Sequence, residues 1–536
     1  MTSTKTFMAL VPTILLSLIV SWGVLATNAS TAQTLPLLPT KLTVPARYAP
    51  LYRSTANLTV SDSVRLPKGF RISVFHAGMI KPRFFAWSPS GVLHVVDMNA
   101  EAVFALPDRN GDGIADTSYV AAAPVKEAHN VVFYQGAMLV AEPTRVLRFL
   151  DRDGDGVYET RSVFIDSIPN GGVFNHYTRT LLADTLRSAF YLSVGAPCDA
   201  CRADNPERAA ILRFNGDGSG RRIFATGLRN AIGMALEPAT GLLWATNADR
   251  NGLGEEKPEE IVTTVPDGSY HGWPLAFSNS TRRSEWANFN VSPDYRAMLP
   301  LTQTDSMRFA TLKVAEAYLP AHSTPMGIAF YTGSLLPPFF RNAAFVAVHG
   351  SYSTDSRRVA AGYNVAVMRR DAASGAYTMH DFLNGFLTDS LAYTHWGRPC
   401  GVGFSPAGEL YMSSDGMIGA IYRISFTPET VSSERYQDFP SSVSPNPSAD
   451  ALSSRWLDYA TPYSGTMLLQ IADTRGAILA NYSAIIKAGN GSFNLAAMMP
   501  DALINGASGA YFYRLLLTDE SGKTSVSRGN FIQLGR

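Results

Sequence analysis

The segment NGGVFNHYTRT, residues 170–180, places His176 three residues before Arg179 and just behind a Gly-Gly pair. An imidazole has an unperturbed pKa of about 6.5 and can take a proton near neutrality. A guanidinium forks onto carboxylates. The same residue types recur at the heads of other apolar runs: Arg229 and Asn230 in GLRNAIG, Arg398 in WGRPCGVGFSP, His129 in AHNVVFY and His322 in AHSTPMG. Each alone is as readily structural as functional; Arg229, for instance, can fork onto a ligand or bridge to a neighbouring element. Collected into one ring, they would make a site for an anionic ligand. An acidic set follows Arg229 in sequence: Asp249, Glu255, Glu256, Glu259 and Glu260 in a single long loop. Carboxylates that dense are either solvated or neutralised by a hard cation with oxygen ligands.

Two further loops have the spacing Asp-x-(Asp/Asn)-x-Asp-Gly. Asp108, Asn110 and Asp112 form one; Asp151, Asp153 and Asp155 form the other. The twelfth positions are Tyr119 and Ser162 rather than glutamate, so neither is a complete EF-hand, and calcium and plain Asp/Gly turns both fit. Of three cysteines, Cys198 and Cys201 in CDAC fit a small disulfide loop in an exported chain. Arg202 stands where a haem-attachment motif has histidine, and Cys400 is left over as a buried thiol.

Asp108 and Asp151 lie 43 residues apart, and that spacing identifies the elements that must carry these groups. A period of about 40–45 residues is that of a four-stranded propeller blade. Six copies begin at RFFAWSP, HNVVFYQ, YTRTLLA, RNAIGMA, TPMGIAF and RPCGVGF. Aromatics at 11%, with 43 glycines and 32 prolines, suit many short strands and turns. A net charge of +1 gives no basic excess for nucleic acid. The expected fold is therefore all-β: a six-bladed β-propeller over residues 67–427, with insertions around 250–320, followed by a small C-terminal β-sandwich. Residues 1–32 read as an export signal, because an apolar run after Lys5 ends in small polar residues. Residues 33–66 form an N-terminal extension, 428–445 a Pro- and Ser-bearing linker and 446–536 the sandwich. Propellers place function on the loops at one end of the central channel, where the His/Arg ring would sit.

The segments NHYTRTLL, FYLSVGAPCDACRADNPERAAILRFNGDGSG, GLRNAIGMALEPATGLLWATNADRNGLGEE, DGSYHGWP, HSTPMGIAFYTGS and GRPCGVGFSPAGELYMSSD occur in this order. In that combination the propeller resembles the soluble quinoprotein glucose/sorbosone dehydrogenase family, in particular its L-sorbosone and pyranose dehydrogenase branch. The resemblance implies a secreted oxidoreductase that oxidises a sugar or sugar-derived aldehyde by hydride transfer to pyrroloquinoline quinone, held with Ca²⁺ over the channel mouth. A separate electron acceptor would complete the turnover. It implies His176 as the general base, with Arg229, Asn230 and Arg398 near the quinone. The remaining ring members, Arg179, His129 and His322, become candidate cofactor contacts. Asp249, Glu259, Glu260 and the carbonyl of His271 become candidate calcium ligands. This chain departs from the glucose-specific pattern in two places. Their late-blade lysine has Arg357 or Arg358 as its substitute here, and their aspartate before the base is Asn175. The alternatives are a non-catalytic propeller that binds glycans or a protein, and a calcium-dependent lactonase, which would not need the arginines. The tail, from SVSPNPSAD through LQIADTRGAIL to SGAYFYRLLLTDESGKTSVSRG, resembles the C-terminal sorting domain of the Bacteroidetes type IX secretion system. That implies export through the periplasm by this machinery, to release or attachment at the cell surface.

Overall fold

The computed structural model describes residues 35–54, 64–172, 176–278, 280, 289–291, 300, 302–352, 358–371 and 374–427, together with strands and short flanks between 443 and 533. The export signal assigned to 1–32 lies outside the described residues. Contacts divide the chain into two units, 1–428 and 429–536.

The described residues of the first unit form a ring of six blades of four antiparallel strands each, the sixth extended by a fifth, parallel strand. Their innermost strands are Pro82–Trp87, Asn130–Tyr134, Leu181–Asp184, Ala231–Leu236, Pro325–Phe330 and Pro399–Phe404, and the last neighbours the first. These follow directly on the six heads read from the sequence. The second strand of every blade is buried along its whole length: Leu93–Asp97, Ala137–Ala141, Ala189–Val194, Leu243–Asn247, Ala344–Val348 and Leu410–Ser414. A strand packed between neighbouring blades has no solvent face, so it reads as a continuous apolar run rather than an alternation. Outer strands such as Thr160–Ile165 are mostly exposed.

The innermost strands of blades one, four, five and six share an irregularity. Each slips register near its start, between Pro82 and Phe85, Ala231 and Met234, Pro325 and Ile328, and Pro399 and Val402. Such bulges re-aim side chains and free backbone groups from the ladder. Three hydroxyls take up the freed carbonyls of the next blade round the ring. Thr246 Oγ1 donates to Met326 O at 2.7 Å, Ser413 Oγ to Arg83 O at 2.6 Å, and Thr180 Oγ1 to Ile232 O at 2.5 Å. The bulge side chains Phe84, Ile232, Met326 and Cys400 pack with Ala248 into one apolar cluster that joins the four blades.

The sixth blade takes its outer strand from the start of the propeller. Phe70–Met79 pairs antiparallel with Gly419–Phe426, and Leu42–Thr43 adds a short parallel strand beyond it. The stretch assigned as an extension also packs into this blade: Leu42, Tyr48, Tyr52, Val64 and Leu66 are buried in its core, and Tyr52 donates to Tyr422 Oη at 2.9 Å. The long insertion falls between the third strand of blade four, Glu260–Thr264, and its fourth, Ala317–Leu319. It includes the paired strands Ala276–Ser278 and Phe289–Val291 and the helix Gln303–Ala310. The second unit contains two antiparallel sheets of three and four strands; its longest pairing joins Gly509–Asp519 to Thr524–Gln533.

Candidate active site

Loops at one end of the ring enclose a cavity of about 270 Å³. Its wall includes His176, Arg229, Asn230, His322, Asp249 and Glu260, all singled out from sequence, and also Lys81, Arg83, Asn251, His349 and Tyr352. Ile232, Ala248 and Met326 of the bulge cluster supply its apolar part.

His176 is fixed by its own loop. Its backbone N–H and its Nδ1–H both donate to the carbonyl of Ala196, at 3.3 and 2.8 Å. A carbonyl only accepts, so the proton sits on Nδ1 and the lone pair on Nε2. Burial, with Arg229 next in effect, lowers the imidazole pKa to about 3. The ring is thus neutral and an acceptor across the physiological range. Gly195 is required here, because a Cβ on it would lie 2.5 Å from the Cβ of His176 and 2.8 Å from Oδ1 of Asn230.

Two buried carboxylates form the acidic part of the wall. Glu260 lies at the first residue of its strand and accepts from the N–H of Asp249 at 2.7 Å. Burial raises Glu260 to about 8 and Asp249 to about 6; the charge of Asp249 raises Glu260 further, that of Asp199 raises Asp249, and Arg229 opposes both. Their oxygens are hard donors of the kind Ca²⁺ takes.

The cationic part comes from Lys81, Arg83 and Arg229. Arg83 is bonded to the buried carboxylate of Asp415, which also accepts from Nε2 of His349 at 2.6 Å. Burial would raise Asp415, yet His349 and Arg83 hold it well below the usual carboxylate range. Burial lowers His349 to about 4, so the neutral ring presents Nδ1 as a lone pair. That buried Nδ1 has no hydrogen-bond partner among the described residues. A cavity with three cations, two buried carboxylates and an unsatisfied imidazole nitrogen fits a polyanionic ligand bound together with a divalent cation.

Five other sequence candidates do not line the cavity. His129 is fully buried behind Arg83, accepts from its Nε at 3.2 Å and packs on Phe84. Arg179 is also fully buried and donates to the carbonyls of His176, Thr178 and Pro169 at 2.6–2.9 Å, so it braces the loop that carries the imidazole. Arg398 donates to the carbonyls of His349 and Gly350, at 3.2 and 2.5 Å, and stacks over Tyr352 at 4.1 Å. It supports the wall from behind. Glu259 precedes Glu260 on an extended segment, so its side chain leaves by the other face and accepts from Ser280 N and Oγ. The His271 side chain is buried against Ser269 Oγ at 3.0 Å. Arg357 lies outside the described residues, and Arg358 is exposed. The cavity's lysine, Lys81, comes instead from blade one.

Of the residues missed, Arg83 carries a signal that was available: it heads RFFAWSP as Arg229 heads RNAIGMA and Arg398 heads RPCGVGF. His349 and Asp415 follow the second strands of blades five and six, positions that the heads of the first strands do not point to. Cys198 and Cys201 form the disulfide, and Cys400 is free and buried. Asp151, Asp153 and Glu159 bring carboxylate oxygens within 4.8 Å of one another, while both oxygens of Asp151 cap the N–H groups of Gly154 and Gly156.

The chain resembles proteins of solved structure over its propeller. The holo form of the pyranose dehydrogenase PQQ domain from Coprinopsis cinerea is 21% identical, with a TM-score of 0.56, covering 68% of this chain and 97% of that one. The calcium structure of a Trichoderma reesei carbohydrate-active enzyme of family AA12 is 18% identical, with a TM-score of 0.57, covering 68% and 96%. An uncharacterized protein of Borreliella burgdorferi is 21% identical over 378 residues, 68% of this chain and 91% of that protein. At these identities the structural likeness establishes the six-bladed fold. The TrAA12-like family profile matches residues 64–427, the whole propeller from its first closing strand to its last, and the chain belongs to the TrAA12-like family.

Proposed function

We propose that this chain is a quinoprotein oxidoreductase that oxidises a sugar or sugar-derived aldehyde at the His176 cavity. The observation that carries the reading is the imidazole's fixed tautomer: a neutral Nε2 acceptor in a cavity that also holds cations and two buried carboxylates. The neighbours named for pyranose dehydrogenase and for family AA12 support the substrate class. Pyrroloquinoline quinone, when bound, supplies the hydride acceptor, and Ca²⁺ a Lewis acid beside it. Lys81, Arg83 and Arg229 would hold the carboxylates of the quinone, and Asp249 and Glu260 would hold the cation. His176 Nε2 accepts the substrate hydroxyl proton as the C–H bond gives up its hydride; the Ala196 carbonyl keeps the ring aligned and stabilises the imidazolium that forms. Ile232, Ala248 and Met326 keep bulk water from that side of the cavity. A lactone carries no carboxylates for Lys81, Arg83 and Arg229 to hold. Export by the N-terminal segment, and type IX sorting by residues 446–536, belong to the same proposal and rest on the sequence motifs.

The test is reconstitution of the purified protein with pyrroloquinoline quinone and Ca²⁺, with dye reduction followed across a panel of sugars and sugar aldehydes. His176→Ala should lose about 10²–10⁴-fold in kcat while binding the quinone normally. A reconstituted wild type with no dye reduction on any sugar, or an alanine variant with undiminished kcat, would reject the proposal.

A further inference from the structure

Asp199 lies inside the four-residue loop closed by the Cys198–Cys201 disulfide, and two residues of the cavity wall, Arg229 and Asn251, bond to it. Its carbonyl accepts from Arg229 Nε at 3.1 Å and from Trp273 Nε1 at 2.8 Å. Its carboxylate accepts from Arg229 Nη2 at 2.8 Å and from the backbone N–H of Asn251 at 2.8 Å, and pairs with Arg250 at 3.4 Å. Asn251 in turn meets Nδ1 of His322 at 3.1 Å. One loop of blade three therefore holds cavity residues that belong to blade four, Arg229 and Asn251, and through Asn251 reaches His322 at the head of blade five.

Arg229 gains a defined orientation from this. A guanidinium has five N–H groups in a fixed plane. Nε and Nη2 each spend one on Asp199, and Nη1 spends one on the carbonyl of Asp249 at 2.7 Å. One N–H then remains on each terminal nitrogen, and such a pair is what a carboxylate accepts in bidentate fashion. The bridge is thus observed, and two N–H groups remain with which the same side chain could fork onto a ligand. The cavity also contains Lys81 and Arg83, so without Asp199 a third cation would be repelled from the place it must occupy.

We propose that Asp199, clamped by the Cys198–Cys201 disulfide, is the positioning residue that aims Arg229 and Asn251 at the ligand of the cavity. The proposal rests on the reading of that ligand as the quinone tricarboxylate. Asp199→Asn keeps the size of the side chain and removes its charge. It should weaken quinone binding to the calcium-loaded protein by roughly ten- to a hundred-fold, the range for a lost charge-assisted hydrogen bond. At saturating quinone its kcat should stay within about twofold of wild type, because His176 is untouched. The double variant Cys198→Ser/Cys201→Ser, and wild type treated with a reductant, should both show the weakened affinity with Asp199 intact.

A second readout needs no quinone. With the arginine guanidinium nitrogens labelled, the Arg229 Nη2 resonance, whose N–H meets the Asp199 carboxylate, should exchange slowly with solvent in wild type and rapidly in Asp199→Asn. Equal quinone affinity in wild type and Asp199→Asn would overturn the positioning role. Unchanged affinity in both the double serine variant and the reduced protein would overturn the role of the disulfide. A wild type that binds no quinone, yet loses Arg229 protection in Asp199→Asn, would sink the quinone reading while the positioning of Arg229 stands.

Discussion

Glu260 provides the most direct physical test of the cavity. It is buried, its carboxyl is raised to about 8, and its neighbour Asp249 is raised to about 6. In the unfolded chain a glutamate titrates near 4.3. Between those limits the metal-free fold holds a proton that the unfolded chain has released. Stability is then fully present below the unfolded pKa and is lost as pH rises through the folded one. At 1.36 kcal/mol for each pH unit, the loss from Glu260 amounts to about 3–5 kcal/mol between pH 4.5 and 8.5. Asp249 adds a loss confined to the range below about pH 6, while the buried histidines, His176 and His349 among them, add a gain that is complete only by about pH 7, so the loss from Glu260 is read as the difference between wild type and Glu260→Gln. Urea denaturation in the presence of a chelator, repeated at half-unit pH steps, measures the slope. Glu260→Gln, an isostere of the protonated acid, should gain about 2 kcal/mol on wild type between pH 6 and 8. Ca²⁺ should restore the wild type at pH 8 by mass action and leave the glutamine variant much less affected. Parallel pH profiles for metal-free wild type and Glu260→Gln between pH 6 and 8 would refute both the burial argument and the place of Glu260 as a cation ligand.

Two further outcomes follow from the packing. Asp415→Asn removes the shared acceptor of Arg83 and His349 and should cost about 3–5 kcal/mol, as for a broken buried ion pair, read as a lowered urea midpoint of the propeller. A chain ended after Pro428 should fold and reconstitute like the full chain, since the contact division falls there; circular dichroism and quinone titration of the two would differ if the second unit supported the first.

The blades were legible because burial on both faces writes itself as an unbroken apolar run, as in AMLVA, AFYL and FVAV. The ring of heads was legible for the same reason, since each head abuts such a pattern. What alternation decides was not. Glu259 and Glu260 are equivalent in composition and charge, yet one residue of register sends the first to Ser280 and the second into the cavity. Arg398 and Arg229 hold the same place in the repeat, but Arg398 turns to backbone carbonyls behind the wall. His349, Asp415 and Asp199 come together through contacts between blades, and no local spacing announces those. The outer strand of blade six was hidden by distance along the chain, because Phe70 finds its partner in Phe426.

That last pairing dictates an order of events. During synthesis, five blades can assemble from contiguous chain as it emerges, while Phe70–Met79 waits for Gly419–Phe426, the final strand of the ring. Arg83, at the start of the first blade, likewise waits for Asp415 and Ser413 near the end of the last. The cavity therefore cannot exist on a chain that stops before Phe426, and its cations and carboxylates remain apart until the seam is joined. Long-range closure of this kind is slow and leaves two unpaired strand edges exposed in the interim. Ligand binding at this site is thus a readout of a closed ring, and any agent that competes for the seam would silence the site without touching a single residue of its wall.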